Sequence, residues 1–208
     1  MRRLAEKSVG DVTVLHAILD AGLVAHVAVV DNGQPYVIPV AYARRGNDVL
    51  FHGSTGSRLF RLLSEGQSTC LTVTLLDGLV LARSAFESSM NYRSVVVLGT
   101  PRRLTGEDEA DALRVITEHL LPGRWDEARH PSKKERAATM TLALDLAEAS
   151  VKVGEGGPTD DPDDLDDPGL MSLWAGHVPI VESFGTPVPD ALCPSGTPVP
   201  RYVLAWSR

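Results

Sequence analysis

Residues 51–58 (FHGSTGSR) combine small residues, hydroxyl groups and one arginine at the junction of two predicted elements. They follow a short apolar run that begins at Asp48 and precede a helix-like run that begins at Leu59. The first N–H groups of a helix are unpaired and carry partial positive charge, so such a junction can hold a phosphate group. The same residues also describe an ordinary capped helix with Ser57 as its N-cap. This stretch alone favours the capped helix, because junctions of a strand, a glycine turn and a capped helix are common.

The other motifs in the chain do not indicate a different chemistry. Residues 154–157 (GEGG) are followed by a proline and an acidic run, and residues 51–58 lack the Gly-Lys-Ser/Thr ending of a nucleotide-triphosphate loop. No histidine pair has metal-ligand spacing, no cysteines are paired, and the acidic run lacks the closing glutamate of a calcium loop. A Gly-x-Ser-x-Gly element is also absent. The sequence predicts no metal site and leaves any catalytic residue unidentified.

Composition restricts the class of protein. The chain has 208 residues, of which 43% are hydrophobic and 23% are charged, which is enough for a sizeable globular core. A net charge of −7 gives no electrostatic argument for binding nucleic acid or an anionic membrane. We find neither a signal peptide nor a transmembrane segment, so we expect a cytoplasmic protein. Two cysteines, Cys70 and Cys193, are too few for a disulfide framework.

The first third of the chain predicts one helix and three strands. Apolar residues at helical spacing follow Asp11 and end at Gly22, which suit the two caps of a helix. Residues 23–30 and 35–43 are predicted strands, joined by an Asn32-Gly33 hairpin turn. Pro39 removes one ladder donor, so its strand should have an edge or a bulge there. A further short strand leads into residues 51–58.

The middle of the chain predicts three more strands. Residues 68–76, 79–86 and 91–98 are apolar or alternating, and Asp77-Gly78 is interpreted as a turn between the first two. Six strands with hairpin-length connections then lie between residues 23 and 103. This density favours a mainly β (α+β) domain, an antiparallel sheet closed or nearly closed into a small barrel. A surface helix is predicted over residues 107–121.

The amino-acid composition of the chain changes at residue 154. Ser132 and Glu135 have capping-box spacing before a short helix, and a strand is favoured from Thr141 to residue 153. Nine of the 14 prolines and an acidic run of seven carboxylates follow Val153. We therefore predict a domain over residues 1–153. Residues 154–208 are predicted to be an acidic solvated loop and a Pro-rich extended tail, packing on the same domain or on its dimer partner.

Four segments together resemble the pyridoxamine-5′-phosphate-oxidase-like flavoproteins, and within them the nitroimidazole-reductase-like branch: HVAVVDNGQPYVIPVAYA, VLFHGSTGSRLFRLL, DGLVLARSAFESSMNYRSVVVLG and LWAGHVPI. The resemblance extends from about His16 to the tail, and NYRSVVVLG and FHGS are its most specific parts. It implies a six-stranded Greek-key split barrel with FMN as cofactor. It also implies a homodimer with the flavin at the subunit interface.

The resemblance further implies roles for individual residues. The strand that contains Ile38, Pro39, Val40, Ala41 and Tyr42 would lie along the isoalloxazine ring, with His52 and Gly53 beside the flavin and its ribityl chain. Ser54, Ser57 and Arg58 would hold the phosphate, the arginine through charge-assisted hydrogen bonds. Arg93 and Ser94 would reach the ring edge from the partner subunit. Trp174 would pack near the flavin, or alternatively would anchor the tail to the surface.

The function that the resemblance implies is an FMN-dependent oxidoreductase of nitroreductase type. It would use NAD(P)H and a small organic acceptor, and the cofactor would carry the redox chemistry. Use of a deazaflavin or haem on the same scaffold is one alternative; a non-catalytic flavin-binding or sensing module and a degenerate structural barrel are others. One departure is Gly154, where this branch usually has an arginine. Any contribution of that arginine to the site or to the dimer contact is missing in this chain, and its absence would alter FMN affinity or substrate preference.

Overall fold

The computed structural model describes residues 8–207, and of Ser8 and Val9 it describes the backbone alone. Within this range lie ten strands: β1 (Ser8–Val9), β2 (Val24–Asp31), β3 (Gln34–Arg45), β4 (Asp48–Ser54), β5 (Thr69–Leu81), β6 (Ser89–Gly99), β7 (Arg102–Arg103), β8 (Thr139–Asp145), β9 (Ala149–Gly154) and β10 (Gly176–Pro179). The helices are α1 (Val12–Ala21), α2 (Arg58–Ser64), α3 (Gly106–Leu120), α4 (Arg124–Glu127), α5 (Lys133–Ala137), α6 (Pro162–Leu165), α7 (Pro168–Met171) and α8 (Arg201–Leu204).

All ten strands belong to one antiparallel sheet that curls around a single main core. The strand order is β1-β9-β6-β5-β2-β3-β4-β8-β7, and β10 pairs with β5 beside this path. Inward side chains of β2, β5 and β6 share one buried cluster with those of β4 and β8, which lie at the other end of the sheet. Helices α1 and α2 also pack into this cluster, whereas α3 covers the opposite side of β3, β4 and β8. The architecture is the predicted split barrel, with more strands than the six expected.

The split lies between β3 and β4. These strands pair only from Tyr42↔Phe51 to Arg45↔Asp48. Before Tyr42, β3 pairs with β2 alone, and after Phe51, β4 pairs with β8 alone. Pro39 therefore lies on a stretch of β3 that has one neighbour, as its missing N–H requires. The two strands diverge at the residues that the sequence marked as a site.

Several local signals produce the elements they predict. The Asp11 carboxylate accepts a hydrogen bond from Thr13 N at 2.7 Å, and α1 ends at Gly22. Asn32 and Gly33 have φ values of 50° and 81°, the left-handed pair that joins β2 to β3. Ser132 and Glu135 form both bonds of the capping box. Each of these features depends on side chains a few residues apart, so the sequence was sufficient.

The predicted turn at Asp77-Gly78 is wrong. Strand β5 continues through it to Leu81, and the pairing with β6 shifts by one residue between Leu76 and Gly78. Asp77 is thus the extra residue of a β-bulge. The connection to β6 comes later, between Leu81 and Ser89, so the strand predicted over residues 79–86 is not a separate element.

Two predictions for the second half of the chain are also corrected. The strand favoured from Thr141 to residue 153 is two strands, β8 and β9, with a tight connection in which Ala149 N donates to Leu146 O. The acidic run contains two one-turn helices, α6 and α7, each begun by an aspartate cap and a proline.

Over residues 8–207, no helix is long and apolar enough to cross a membrane.

Candidate functional site

Helix α2 closes the inner side of the split. Leu59, Phe60 and Leu63 are buried in the main core. A Cβ atom added at Gly53 would lie 2.2 Å from Cε2 of Phe60, so the ring occupies the space that a side chain at Gly53 would need. Phe60 also contacts the Phe51 ring, with centroids 5.8 Å apart. Gly53 is therefore required by packing, which fixes α2 against the end of β4.

Arg58, the first residue of α2, is held at the tip of the β2–β3 hairpin. Its Nη1 lies 3.3 Å from Oδ2 of Asp31, and its guanidinium carbon lies 4.3 Å from the centroid of the Tyr36 ring. The side chain remains about half exposed, at 53%. One face of the guanidinium is thus stacked, and the group stays accessible to an anion.

The serine hydroxyls next to Arg58 differ in their engagement. Ser57 is the N-cap of α2 by backbone conformation, but its hydroxyl makes no cap hydrogen bond. Ser54 Oγ accepts a hydrogen bond from Gly56 N at 3.1 Å, and this bond shapes the turn. The expected capping role of the Ser57 side chain is therefore not realised. Ser57, whose hydroxyl makes no cap hydrogen bond, is thus followed directly by the half-exposed Arg58, a combination that suits phosphate oxygens.

The predicted site residues of β3 alternate between two faces. Ile38 and Val40 pack against the main core, and Tyr42 is fully buried with its hydroxyl donating to Leu19 O at 2.7 Å. Pro39 and Ala41 lie on the opposite face. The Tyr42 side chain is thus a core element, and only alternate residues of this strand can present side chains to a ligand on the other face.

We call that other face of β2, β3, β5 and β6 the outer face. The strand register arranges its exposed or half-buried side chains in rows. The apolar ones are Val24, Val30, Val37, Pro39, Ala41, Leu76, Val96 and Leu98, and the polar ones are His26, Thr72, Thr74 and Ser94. Ala41 pairs with Val24, and Ser94 pairs with Thr74. Ser94 and Ala41 therefore share a face of the sheet, whereas the neighbouring Arg93 points to the opposite side.

His52 also belongs to the outer side of the sheet. Ala43 and Leu50 are register partners on this side, and Ala41 and His52 are the next residues on the same side of their strands. The ring is half-buried, and its Nδ1 is buried without a hydrogen-bond partner. Burial lowers the pKa of His52 below its usual value, so the ring favours the neutral form. The structure thus places His52, Ala41 and Pro39 on the same side of the sheet, on the two strands that flank the split.

Arg93 lies instead at a cavity of about 630 Å³ under the C-terminal tail. Its guanidinium makes two hydrogen bonds to the Asp77 carboxylate, at 2.7 and 2.9 Å, which raise the pKa of Arg93. The walls are mostly apolar and include Phe184 and Trp206, whose ring centroids are 5.7 Å apart. His119 is also at the wall, but its Nε2 contacts Gly22 O at 2.7 Å. The structure therefore separates Arg93 from the residues of the split.

Trp174 precedes β10 and is 66% exposed, with its ring near Gly176. Gly154 ends β9, is buried, and pairs with Tyr92 on β6. The tail does return to the barrel, because β10 pairs with β5 and Trp206 Nε1 donates to Pro122 O at 3.0 Å. Trp174 thus lies in the segment between α7 and β10, whereas Arg58 begins α2, and no contact between them is present within the described residues.

Sequence reasoning missed residues that hold the site in place. Asp31 and Tyr36 position Arg58, and Asp77 positions Arg93. The signals were ambiguous, because Asp31 belongs to a hairpin turn and Asp77 to an apparent turn. Thr141, directly opposite His52 on β8, was assigned only to a strand. No group of three or more metal-ligating side chains is formed by residues 8–207.

The family model described as pyridoxamine 5′-phosphate oxidase matches residues 11–153, which include the whole split and α2. The chain belongs to this family. The resemblance carried by residues 26–43 and 49–63 is thereby confirmed. A comparison with curated proteins gave no significant match.

Two solved structures are similar to this chain over nearly its whole length. The FAD and heme binding protein from Mycobacterium smegmatis is 37% identical, with a TM-score of 0.91 and 97% of each chain covered. The flavocytochrome Anf3 from Azotobacter vinelandii is 40% identical, with a TM-score of 0.91, 99% of this chain covered and 94% of that chain. A putative 5-nitroimidazole antibiotic resistance protein from Bacteroides thetaiotaomicron shares the fold, at 18% identity, TM-score 0.60, and 70% and 86% coverage.

Proposed function

We propose that this protein is a flavin- and haem-binding redox protein, a flavocytochrome of the split-barrel type. The observation that carries the proposal is the extent of the similarity to the two relatives at 37% and 40% identity. It includes the tail after residue 154, which lies outside the family match at residues 11–153. The nitroimidazole resistance protein covers only 70% of the chain. The tail therefore favours the flavin-and-haem relatives over a plain nitroreductase.

The residues around the split fit a flavin. Arg58 is half exposed and held in place by Asp31 and Tyr36, and the Ser57 hydroxyl is free of a cap bond. These groups would hold phosphate oxygens, while Pro39, Ala41 and His52 would line the flavin on the outer side. The flavin supplies the redox chemistry when bound, and the protein positions it. The relative from Mycobacterium smegmatis binds FAD, so FAD and FMN are both tested below.

Haem requires an axial ligand, most often an imidazole nitrogen. Among the histidines of the described chain, His119 and His130 have Nε2 bound to backbone oxygens. His26 on the outer face and His177 on β10 are exposed and make no hydrogen bond in the structure. These two side chains fit the role of an iron ligand. The cavity beside Arg93 has apolar walls, but the histidine in its wall, His119, already has Nε2 bonded to Gly22 O.

A homodimer is part of the proposal. The outer face exposes several large apolar side chains, including Val24, Val37 and Leu98, which are about half exposed in the single chain. Contiguous apolar surface of this kind is typical of protein interfaces. A second copy of the chain packed there would exclude water from the flavin and could contribute residues such as Ser94 to it. The fold family accounts for the choice of a second copy as partner.

We further propose that reduced nicotinamide donates electrons and that a small organic acceptor or the haem receives them. A flavin-binding or sensing module without turnover is the alternative, and it predicts binding with no oxidation of NADH or NADPH. A deazaflavin cofactor would differ in its visible spectrum and in its mass. Oxidation of NADH or NADPH by the cofactor-loaded protein therefore distinguishes the oxidoreductase from the module without turnover.

The test is a visible spectrum of the purified protein, with mass identification of the released cofactors. We expect flavin bands together with a haem Soret band, and a mass that distinguishes FAD from FMN. Protein that takes up neither group on titration would contradict the proposal. His26→Ala and His177→Ala are then compared with His130→Ala, whose imidazole already contacts Trp125 O. Haem retained by both of the first two variants would rule out these ligands.

A further inference from the structure

Two buried polar atoms without partners lie opposite each other on β4 and β8. His52 and Thr141 are register partners, so their side chains lie on the same side of the sheet. Thr141 is fully buried, and its Oγ1 has no hydrogen-bond partner. His52 Nδ1 is likewise buried and unpaired. Each atom is the missing partner that the other requires.

The neighbours two residues away on the same strands are polar in one direction and apolar in the other. Ser54 and Thr139 have engaged hydroxyls, since Ser54 Oγ accepts from Gly56 N and Thr139 Oγ1 donates to Glu135 O. Leu50 and Ala143 are apolar, and Leu104 packs with them under α3. The Thr141 carbonyl is already used, since it accepts from Leu104 N at 2.9 Å. A buried polar group left unpaired is destabilising by about 1–3 kcal/mol. Directly opposed residues have Cβ atoms about 4.5–5.5 Å apart, which is within reach of a hydrogen bond after side-chain rotation.

The direction of this hydrogen bond decides the tautomer of the imidazole. A hydroxyl has one proton to donate, and Nδ1 of the opposed His52 is a buried atom without a partner that can accept it. If Nδ1 carried the proton instead, the hydroxyl proton would remain unpaired. Donation by Thr141 therefore satisfies both groups and places the ring proton on Nε2. Among the described residues, Nε2 makes no hydrogen bond and is not a buried unpaired atom, so it faces accessible space.

We propose that Thr141 is a positioning residue: its hydroxyl donates to Nδ1 of His52 and holds the ring as the Nε2–H tautomer. The outward N–H is then a fixed donor on the outer side of the split. His52 thereby serves as a hydrogen-bond donor to the bound group and not as an iron ligand, because its outward nitrogen has no lone pair to give. The use of this donor by a flavin rests on the proposed function, whereas the tautomer does not.

The test is nitrogen NMR of the imidazoles in 15N-labelled protein, which distinguishes the two tautomers of His52 directly. We expect the Nε2–H form in the wild type. Thr141→Val keeps the shape of the side chain but removes the hydroxyl, and should lower the ratio of Nε2–H to Nδ1–H about five- to tenfold, the worth of one hydrogen bond. Thr141→Ser, which keeps a hydroxyl at this position, should retain the wild-type pattern.

Thr139→Val is the matched control, because Thr139 is on the same strand and its hydroxyl donates to Glu135 O at 2.9 Å. It should leave the His52 signals unchanged. The proposal is overturned if His52 is the Nδ1–H tautomer in the wild type, or if Thr141→Val leaves its pattern unaltered. Because the readout is the ring itself, a failure to find flavin or haem would leave this result intact. Should Thr141→Val not fold, the comparison of wild type with Thr141→Ser still gives the tautomer.

Discussion

The guanidinium of Arg58 stacks on the ring of Tyr36, with the central carbon 4.3 Å from the ring centroid, while Asp31 contacts its edge. Tyr36 and Asp31 come from the β2–β3 hairpin, and Arg58 begins the helix that follows β4. The arrangement joins the two sides of the split at one charged group. An arginine restrained in this way loses less side-chain entropy when an anion binds, which favours tight phosphate binding.

Arg58→Ala is expected to weaken flavin binding about 10- to 100-fold, because a hydrogen bond to a charged group contributes about 1.5–3 kcal/mol. Arg58→Lys should also weaken flavin binding, but by less than Arg58→Ala, since an ammonium cannot form the paired bonds of a guanidinium. The measurement is quenching of flavin fluorescence on titration with the cofactor-free protein.

Arg61→Ala provides the matched control for Arg58. Arg61 is exposed and lies on the same helix, in its last turn. Its loss should change flavin affinity less than about twofold, as expected of a surface charge that is not in contact with the ligand. Equal affinities for the Arg58→Ala protein and the wild type would remove Arg58 from the phosphate site.

Gly53→Ala is expected to destabilise the protein by about 1–3 kcal/mol, the range for overpacking a buried site. The added methyl group would lie 2.2 Å from the Phe60 ring, which is itself packed in the core. Urea unfolding monitored by circular dichroism gives the change in free energy. Gly56→Ala is the control, since its Cβ would meet only Ser54 Oγ at an ordinary 3.5 Å.

The Gly53 effect can be traced to one contact by adding Phe60→Leu. If the clash with the ring is the cause, the double variant should lose less stability than the sum of the two single variants. Strict additivity would mean that the backbone conformation at Gly53, and not Phe60, determines the cost.

Asp160 should make the stability of the protein depend on acid. Its carboxylate accepts from Arg83 N at 2.7 Å and from Arg83 Nη1 at 2.6 Å, which ties the acidic segment to the β5–β6 connection. The backbone hydrogen bond from Arg83, and then the Arg83 side chain, lower the pKa of Asp160 below its usual 3.8. A lowered carboxylate pKa stabilises the folded state above the unfolded pKa, and this stability is lost as the pH falls through the folded value.

The measurement is the difference in urea midpoint between the wild type and Asp160→Asn at neutral pH and at about pH 3. We expect the difference to be present at neutral pH and to shrink in acid. Asp163→Asn is the control, because Asp163 is exposed and its carboxylate forms no hydrogen bond or ion pair among residues 8–207. A difference that grows in acid would contradict the assignment.

Val37→Glu should dissociate the proposed homodimer. Val37 is 54% exposed on the outer face, in the row that contains Ala28 and Cys70. A carboxylate buried there without a partner costs several kcal/mol, so we expect dimerisation at least about 100-fold weaker. Analytical ultracentrifugation measures the change. Val188→Glu, at a position 89% exposed in the tail, should not alter the assembly, and a monomeric wild type would refute the homodimer.

The sequence by itself determined the features that depend on near neighbours. The Asn32-Gly33 turn, the Asp11 cap and the Ser132/Glu135 capping box all formed where they were expected. Each requires a backbone conformation or a hydrogen bond within a few residues. The alternation of apolar residues also predicted the barrel and, with the resemblance, the family. The stretch of residues 51–58 was recognised on the same local grounds.

Only the tertiary structure decided how those residues are used. Asp77-Gly78 has the composition of a turn, but pairing with β6 on one side and β10 on the other keeps β5 continuous and makes Asp77 a bulge. Ser57 has the identity of a cap, yet its hydroxyl is unused. The unpaired atoms His52 Nδ1 and Thr141 Oγ1 face each other because the strand register joins positions 89 residues apart. Long-range pairing is a property of the folded sheet as a whole, and no local pattern encodes which partner a polar atom will meet.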